Sequence, residues 1–223
     1  VATDAGRICV SLRAHGPEDG LRALAALEAE GVELIELRLD DWRAEVAAVR
    51  TLFGGRARRV ATCRPGGTAG PRRAALLEEA LGAGAAFVDV ELEAEPGLQA
   101  GLVARARALG RRVIVSFHDH AGTPAGPELG ALREACFAAG ADIAKLACTP
   151  RAAREAARLL GLLDDPRPVV VAGMGPWGRP VRLLAPLLGA PFTYASAGEG
   201  LETAPGQLPH ARLRRLLEEV EGA

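Results

Sequence analysis

Short β-like runs alternate with amphipathic helical segments along the whole chain. The β-like runs are Arg7–Leu12, Glu33–Leu39, Arg59–Cys63, Phe87–Leu92, Arg112–Phe117, Asp142–Leu146, Pro168–Ala172 and Pro191–Tyr194. Between them lie Ala- and Leu-rich stretches, among them Pro17–Glu30, Pro71–Gly82, Leu98–Leu109, Pro127–Ala139 and Pro150–Leu160. Most open near a proline or a small polar residue, and several close on a glycine (Gly31, Gly110, Gly140, Gly161), as helices do. Eight such units within 223 residues predict a single α/β domain, a (β/α)8 TIM barrel over residues 1–223. A doubly wound open sheet is the main rival. It usually has fewer strands and a Gly-rich turn after the first, whereas Ser11-Leu12-Arg13-Ala14 follows here, with no GxGxxG.

Polar residues keep time with the strands. Glu36, Arg64, Glu91, His118 and Lys145 are separated by 28, 27, 27 and 27 residues, each at or near a strand's C-terminal end. If one βα unit has about that length, the five form a ring on the catalytic face of the barrel. Strand parity agrees. In Leu34-Ile35-Glu36-Leu37-Arg38-Leu39-Asp40 the charged residues share one face and Ile35, Leu37 and Leu39 the other. The apolar set is expected to pack outward on helices, and the charged set to point into the barrel mouth.

Composition singles out one member of the ring. Of the 27 Lys and Arg residues, 26 are arginine and only Lys145 is lysine; asparagine is absent. Arginine replaces lysine readily on a solvated surface. It cannot do so where an amine must lose a proton and attack a carbonyl. Lys145 lies among apolar strand neighbours, where burial and nearby arginines favour the neutral amine that Schiff-base chemistry needs. His118 ends the preceding strand and is placed to move protons beside an imine. His120 is secondary.

Other classes are not supported. A formal net charge of -1 offers no basic footprint for nucleic acid. No apolar run approaches the roughly 18 residues that span a bilayer. Residues Val1 to Arg7 lack an apolar signal-peptide core, so a cytoplasmic location is expected. Cys9, Cys63, Cys136 and Cys148 form no CxxC pair and read as small buried hydrophobes, with no metal site and no cofactor. Gly173 to Arg182 could be either an anion-holding glycine turn or a plain turn. The long loop after Tyr194 is of a kind that often serves as a lid.

Several segments together resemble the type I 3-dehydroquinate dehydratases of the shikimate pathway. Glu36-Leu37-Arg38-Leu39-Asp40 is similar to that family's E-x-R-x-D strand. Ser116-Phe117-His118-Asp119 with Thr123-Pro124 resembles its catalytic-histidine segment, and Asp142 to Ala147 with Pro150 its Schiff-base segment. Gly178 to Arg182 looks like its substrate-arginine loop, and Ala204-Pro205-Gly206-Gln207 its closing loop. The resemblance implies that Lys145 and His118 are catalytic. It implies that Arg182 and Gln207 hold the carboxylate of 3-dehydroquinate. It further assigns Glu36, Arg38, Arg64 and Thr203 to substrate binding, and implies a homodimer.

One segment departs from the family. A glutamate usually follows the third-strand arginine and orients the histidine. Here Arg64 is followed by Pro65 to Gly70 with no acid, and Thr68 stands in that place. Glu91 or Glu36 is the substitute partner expected for His118. Thr203 replaces a common serine and keeps the hydroxyl. Two alternative readings are a class I aldolase on a similar barrel, with Gly173 to Gly178 as a phosphate cradle, and an inactive barrel that only binds.

Overall fold

Each β-like run becomes a strand in the computed structural model, which describes residues 7–66 and 70–222. The strands are β1 (Ile8–Arg13), β2 (Leu34–Arg38), β3 (Arg58–Thr62), β4 (Phe87–Glu91), β5 (Arg112–Asp119), β6 (Ile143–Cys148), β7 (Val169–Gly173) and β8 (Thr193–Ser196). All ladders are parallel, in the order β7-β6-β5-β4-β3-β2-β1-β8. Among the described residues no ladder joins β7 to β8. The two strands nonetheless pack against each other, which brings the sheet round into a nearly closed TIM barrel. The Thr68 position and residues 1–6, on which two sequence readings fall, lie outside the described residues.

The helices are α1 (Pro17–Ala29), α2 (Gly70–Gly82), α3 (Pro96–Ala108), α4 (Gly126–Ala138), α5 (Ala153–Leu160), α6 (Gly178–Leu184) and α7 (His210–Glu221). Prolines at the first turns of α1, α3 and α4 suit positions whose backbone N–H has no partner in the helix. The β2–β3 crossover departs from the barrel pattern. It is a 3-10 helix, Val46–Phe53, whose Val49, Leu52 and Phe53 are buried. No described helix is long and apolar enough to cross a membrane.

The strand interiors are built in tiers, because every second residue points into the barrel. Cys9, Leu34, Val60, Phe87, Ile114, Ile143, Val170, Phe192 and Tyr194 form an apolar floor. Two residues further along the strands stand Ser11, Glu36, Thr62, Asp89, Ser116, Lys145 and Ser196, all buried. Another two residues on come Arg38, Arg64, Glu91 and His118. The outward residues Ile35, Leu37 and Leu39 join the larger core beneath the helices, as parity requires. The proposed ring therefore divides into two tiers. Glu36 and Lys145 belong to the lower, and Arg64, Glu91 and His118 to the upper.

Candidate active site

Lys145 sits mid-strand on β6 and is 4 % exposed. Its Nζ donates to Asp89 Oδ2 at 2.8 Å and lies 3.7 Å from Glu36 Oε1. Its direct charged contacts are thus carboxylates. Arg64, an arginine of the expected neighbourhood, shares the Asp89 carboxylate with Lys145. That Asp89 carboxylate takes both Arg64 Nη atoms, at 2.9 and 2.8 Å, and the Ser116 hydroxyl at 2.6 Å. Burial alone would raise the Asp89 pKa, but Arg64 and Lys145 outweigh it and hold the group far below the usual carboxylate range. Glu36 is also kept charged. Burial opposes this, but Lys145, Arg38 and Arg64 prevail, and Ser11 and Thr62 both donate to its oxygens.

The upper tier extends the network. Arg64 Nη1 reaches Glu91 Oε1 at 2.5 Å, and the other Glu91 oxygen pairs with Arg73 from α2. Arg73, Glu91, Arg64, Asp89, Lys145 and Glu36 therefore form a continuous line of alternating charges. Arg38 pairs with Asp40 at 2.5 Å, and Asp40 Oδ1 accepts the Arg64 backbone N–H at 2.6 Å. These bonds fix the ends of β2 and β3 relative to each other.

His118 is half-buried and stacks on His120, with ring centroids 6.2 Å apart. Among the described residues its imidazole has no hydrogen-bond partner. Neither expected substitute reaches it: Glu91 is held by Arg73 and Arg64, and Glu36 by Ser11 and Thr62. Burial first, and then Arg64 and Lys145, lower its pKa to about 2, so the ring is neutral at ordinary pH.

Arg182 on α6 is 2 % exposed, yet among the described residues it has no carboxylate partner. Its Nη1 donates to Tyr194 O at 3.2 Å, its Nε finds no acceptor among the described residues, and burial lowers its pKa to about 10. A buried, unpaired guanidinium is costly unless an anion joins it. Gln207 is fixed on the loop after β8. Its Oε1 accepts the backbone N–H of Thr203 at 2.8 Å and of Ala204 at 3.3 Å. The amide NH2 is left to donate. The Thr203 hydroxyl is directed to the same Oε1 at 3.3 Å. The loop is docked on the β7–α6 turn, where Gly175 N–H donates to Pro205 O at 3.2 Å.

The glycine turn is explained by packing. A Cβ on Gly173 would meet Gly178 Cα at 2.5 Å, so β7 and the start of α6 approach too closely for side chains.

Glu36, Arg38, Arg64, His118, Lys145, Arg182, Thr203 and Gln207 all border one cavity of about 1130 Å³. Ser11, Arg73, Glu91 and Tyr194 line it too. Sequence reasoning missed the roles of Asp89, Ser116, Arg73 and Tyr194. For Asp89 the signal was present: an acid flanked by valines inside β4, on the same inward face as Glu91. Among the described residues no group of three or more His, Cys, Asp or Glu side chains could hold a metal ion. The arrangement offers a buried amine, a neutral imidazole, and an unpaired cation with amide donors for an anion.

Comparison with known proteins gives concordant matches. The sequence signature described as type I 3-dehydroquinase matches residues 8–222. A 3-dehydroquinate dehydratase of Methanosarcina barkeri is 38% identical over 138 residues, 60% of this chain and 57% of that protein, so the match spans little more than half the relative's length. One from Syntrophobacter fumaroxidans is 33% identical over 231 aligned positions, covering 96% of each chain. The crystal structure of 3-dehydroquinate dehydratase from Geobacillus kaustophilus superposes with a TM-score of 0.87 at 25% identity, covering 98% of this chain and 92% of that one.

Proposed function

The chain belongs to the type I 3-dehydroquinase family, and from that membership we propose that it is a hydro-lyase converting 3-dehydroquinate to 3-dehydroshikimate and water through a lysine Schiff base. The observation that carries this reading is one juxtaposition. The buried amine of Lys145 and the unpaired guanidinium of Arg182 open onto the same cavity.

In this reading the Lys145 amine gives up a proton, attacks the C3 ketone and expels water to form the imine. The protonated imine acidifies the C2 hydrogen, which His118 removes; a neutral imidazole is the form that can accept it. The enamine expels the C1 hydroxyl, to which His118 returns the proton. Hydrolysis then frees the product and regenerates the lysine. Arg182 and the Gln207 amide hold the substrate carboxylate, Arg182 by a charge-assisted contact. Glu36, Arg38, Arg64 and Thr203 serve the hydroxyl-bearing side of the ring.

The reading also takes residues 1–223 as one catalytic domain, working in the cytoplasm as a homodimer without a cofactor; sedimentation equilibrium tests the dimer. The activity is tested by incubating the protein with 3-dehydroquinate and following products by NMR. Accumulation of 3-dehydroshikimate, abolished in Lys145→Met, is expected. Folded protein that leaves the substrate untouched sinks the proposal, and cleavage of a carbon–carbon bond would favour an aldolase.

A further inference from the structure

The chain contains a single tyrosine, Tyr194, at the boundary between the apolar floor and the polar tier. Its ring face lies under Lys145, with Nζ 4.1 Å from the centroid. The ring is held from below. Phe192 meets it edge-on at 5.5 Å between centroids and an interplanar angle of 76°, and Phe87 meets Phe192 at 6.5 Å and 62°. Arg58 caps the lower end, 4.9 Å from the Phe87 centroid. Three aromatic rings thus form a column through the barrel floor with a cation at each end. Among the described residues the buried Tyr194 hydroxyl has no hydrogen-bond partner, so the contact with the lysine is made by the ring and not by the oxygen.

Among the described residues three groups contact Nζ: the carboxylates of Asp89 and Glu36, and this ring. They differ in what they ask of the nitrogen. An ammonium has three N–H donors to share among acceptors. Once Lys145 is condensed with a ketone, its protonated imine has one. The carboxylates must then compete for a single hydrogen, whereas the attraction between a cation and a ring face needs no hydrogen at all. We infer that Tyr194 is a positioning residue that holds the cationic nitrogen of Lys145 over its ring face in the imine as well as in the free amine, keeping the covalent intermediate protonated. The inference rests on the Schiff-base reading for its catalytic half and on the ring geometry alone for the rest.

The two halves are tested separately. Because Lys145 is the only lysine, protein grown on lysine labelled with 13C at the ε carbon gives one lysine methylene signal. In the ligand-free protein the attached hydrogens should be shifted upfield by ring current in the wild type and in Tyr194→Phe. They should return to ordinary lysine positions in Tyr194→Met and Tyr194→Leu. An unshifted wild-type signal overturns the inference whatever the enzyme does. With 3-dehydroquinate, Tyr194→Met and Tyr194→Leu should each lose roughly 3- to 30-fold in kcat, the span from an exposed to a desolvated cation–π contact, with KM changed less than twofold. Tyr194→Phe should retain wild-type kcat. If phenylalanine fails to rescue, the hydroxyl is the working group and the inference is wrong. Full activity in folded Tyr194→Met, the volume-filling variant, also overturns it. A wild-type protein that does not turn over dehydroquinate defeats the proposed function instead, and the lysine signal still reports the ring contact.

Discussion

Replacing Arg182 by methionine is expected to stabilise the ligand-free protein while nearly abolishing its use of substrate. Burial lowers the Arg182 pKa from 12.5 to about 10, and a shift of that size corresponds to a penalty of roughly 3 kcal/mol for holding the charge. The sign follows from linkage. The folded pKa lies below the unfolded one, so the penalty is fully present at every pH below about 10 and fades only between there and 12.5. Two losses oppose the gain. The hydrogen bond to Tyr194 O contributes about 1 kcal/mol, and the shorter methionine leaves a partial void costing about 1 kcal/mol. The balance is a gain of about 1 kcal/mol, or a rise in Tm of roughly 2–4 °C for a chain of this length. Truncating a buried charge that pairs with a ligand carboxylate costs ~2–5 kcal/mol, a loss of roughly 30- to several-thousand-fold in kcat/KM. Differential scanning fluorimetry and steady-state kinetics on the same preparation give both numbers. A Tm lowered by many degrees with kcat/KM intact would mean that the guanidinium serves the fold and not the substrate.

Three further outcomes are expected. The unfolded chain protonates His118 near pH 6.5 and the folded one only near pH 2, so this residue costs the wild type stability progressively as pH falls below 6.5; between pH 7 and 5 urea titration should show His118→Gln losing about 2 kcal/mol less than wild type. Asp89→Asn leaves Arg64 and Lys145 facing a neutral amide, and breaking such buried pairs should cost ~3–5 kcal/mol in denaturant unfolding, far more than a surface Asp→Asn change. Gly206 has φ +85 and a Cβ there would meet Gly175 O at 2.7 Å, so Gly206→Ala should lift the loop that carries Gln207; kinetics should show KM raised several-fold, while an unchanged KM would mean that loop docking does not matter for binding.

Much of this architecture is legible in the residues because it depends on short-range rules. Alternation in β2 sends Glu36 and Arg38 inward and Ile35, Leu37 and Leu39 outward whatever the rest of the chain does. The lone lysine is conspicuous because every other basic position accepts arginine. What could not be read is height along the barrel axis. The even beat from Glu36 to Lys145 hides a two-residue step between tiers, since strand pairing sets Lys145 beside Ser116 and puts His118 beside Ala147. The inward face of Asp89 is legible in β4, but its role is not, because its partners Arg64, Ser116 and Lys145 lie 25, 27 and 56 residues away. Tyr194 belongs to the apolar floor, and its face is turned to the amine by ring contacts that the sequence does not display. The crossover Val46–Phe53 buries Val49, Leu52 and Phe53.

The central claim is that Lys145 becomes covalently attached to the substrate. Borohydride added during turnover of 3-dehydroquinate reduces an imine to a stable amine, and digestion with mass spectrometry locates it. The expected result is loss of activity in step with one adduct per chain, on the peptide that carries Lys145 and absent from Lys145→Met. Undiminished turnover in the presence of borohydride, with no adduct on that peptide, would contradict the account.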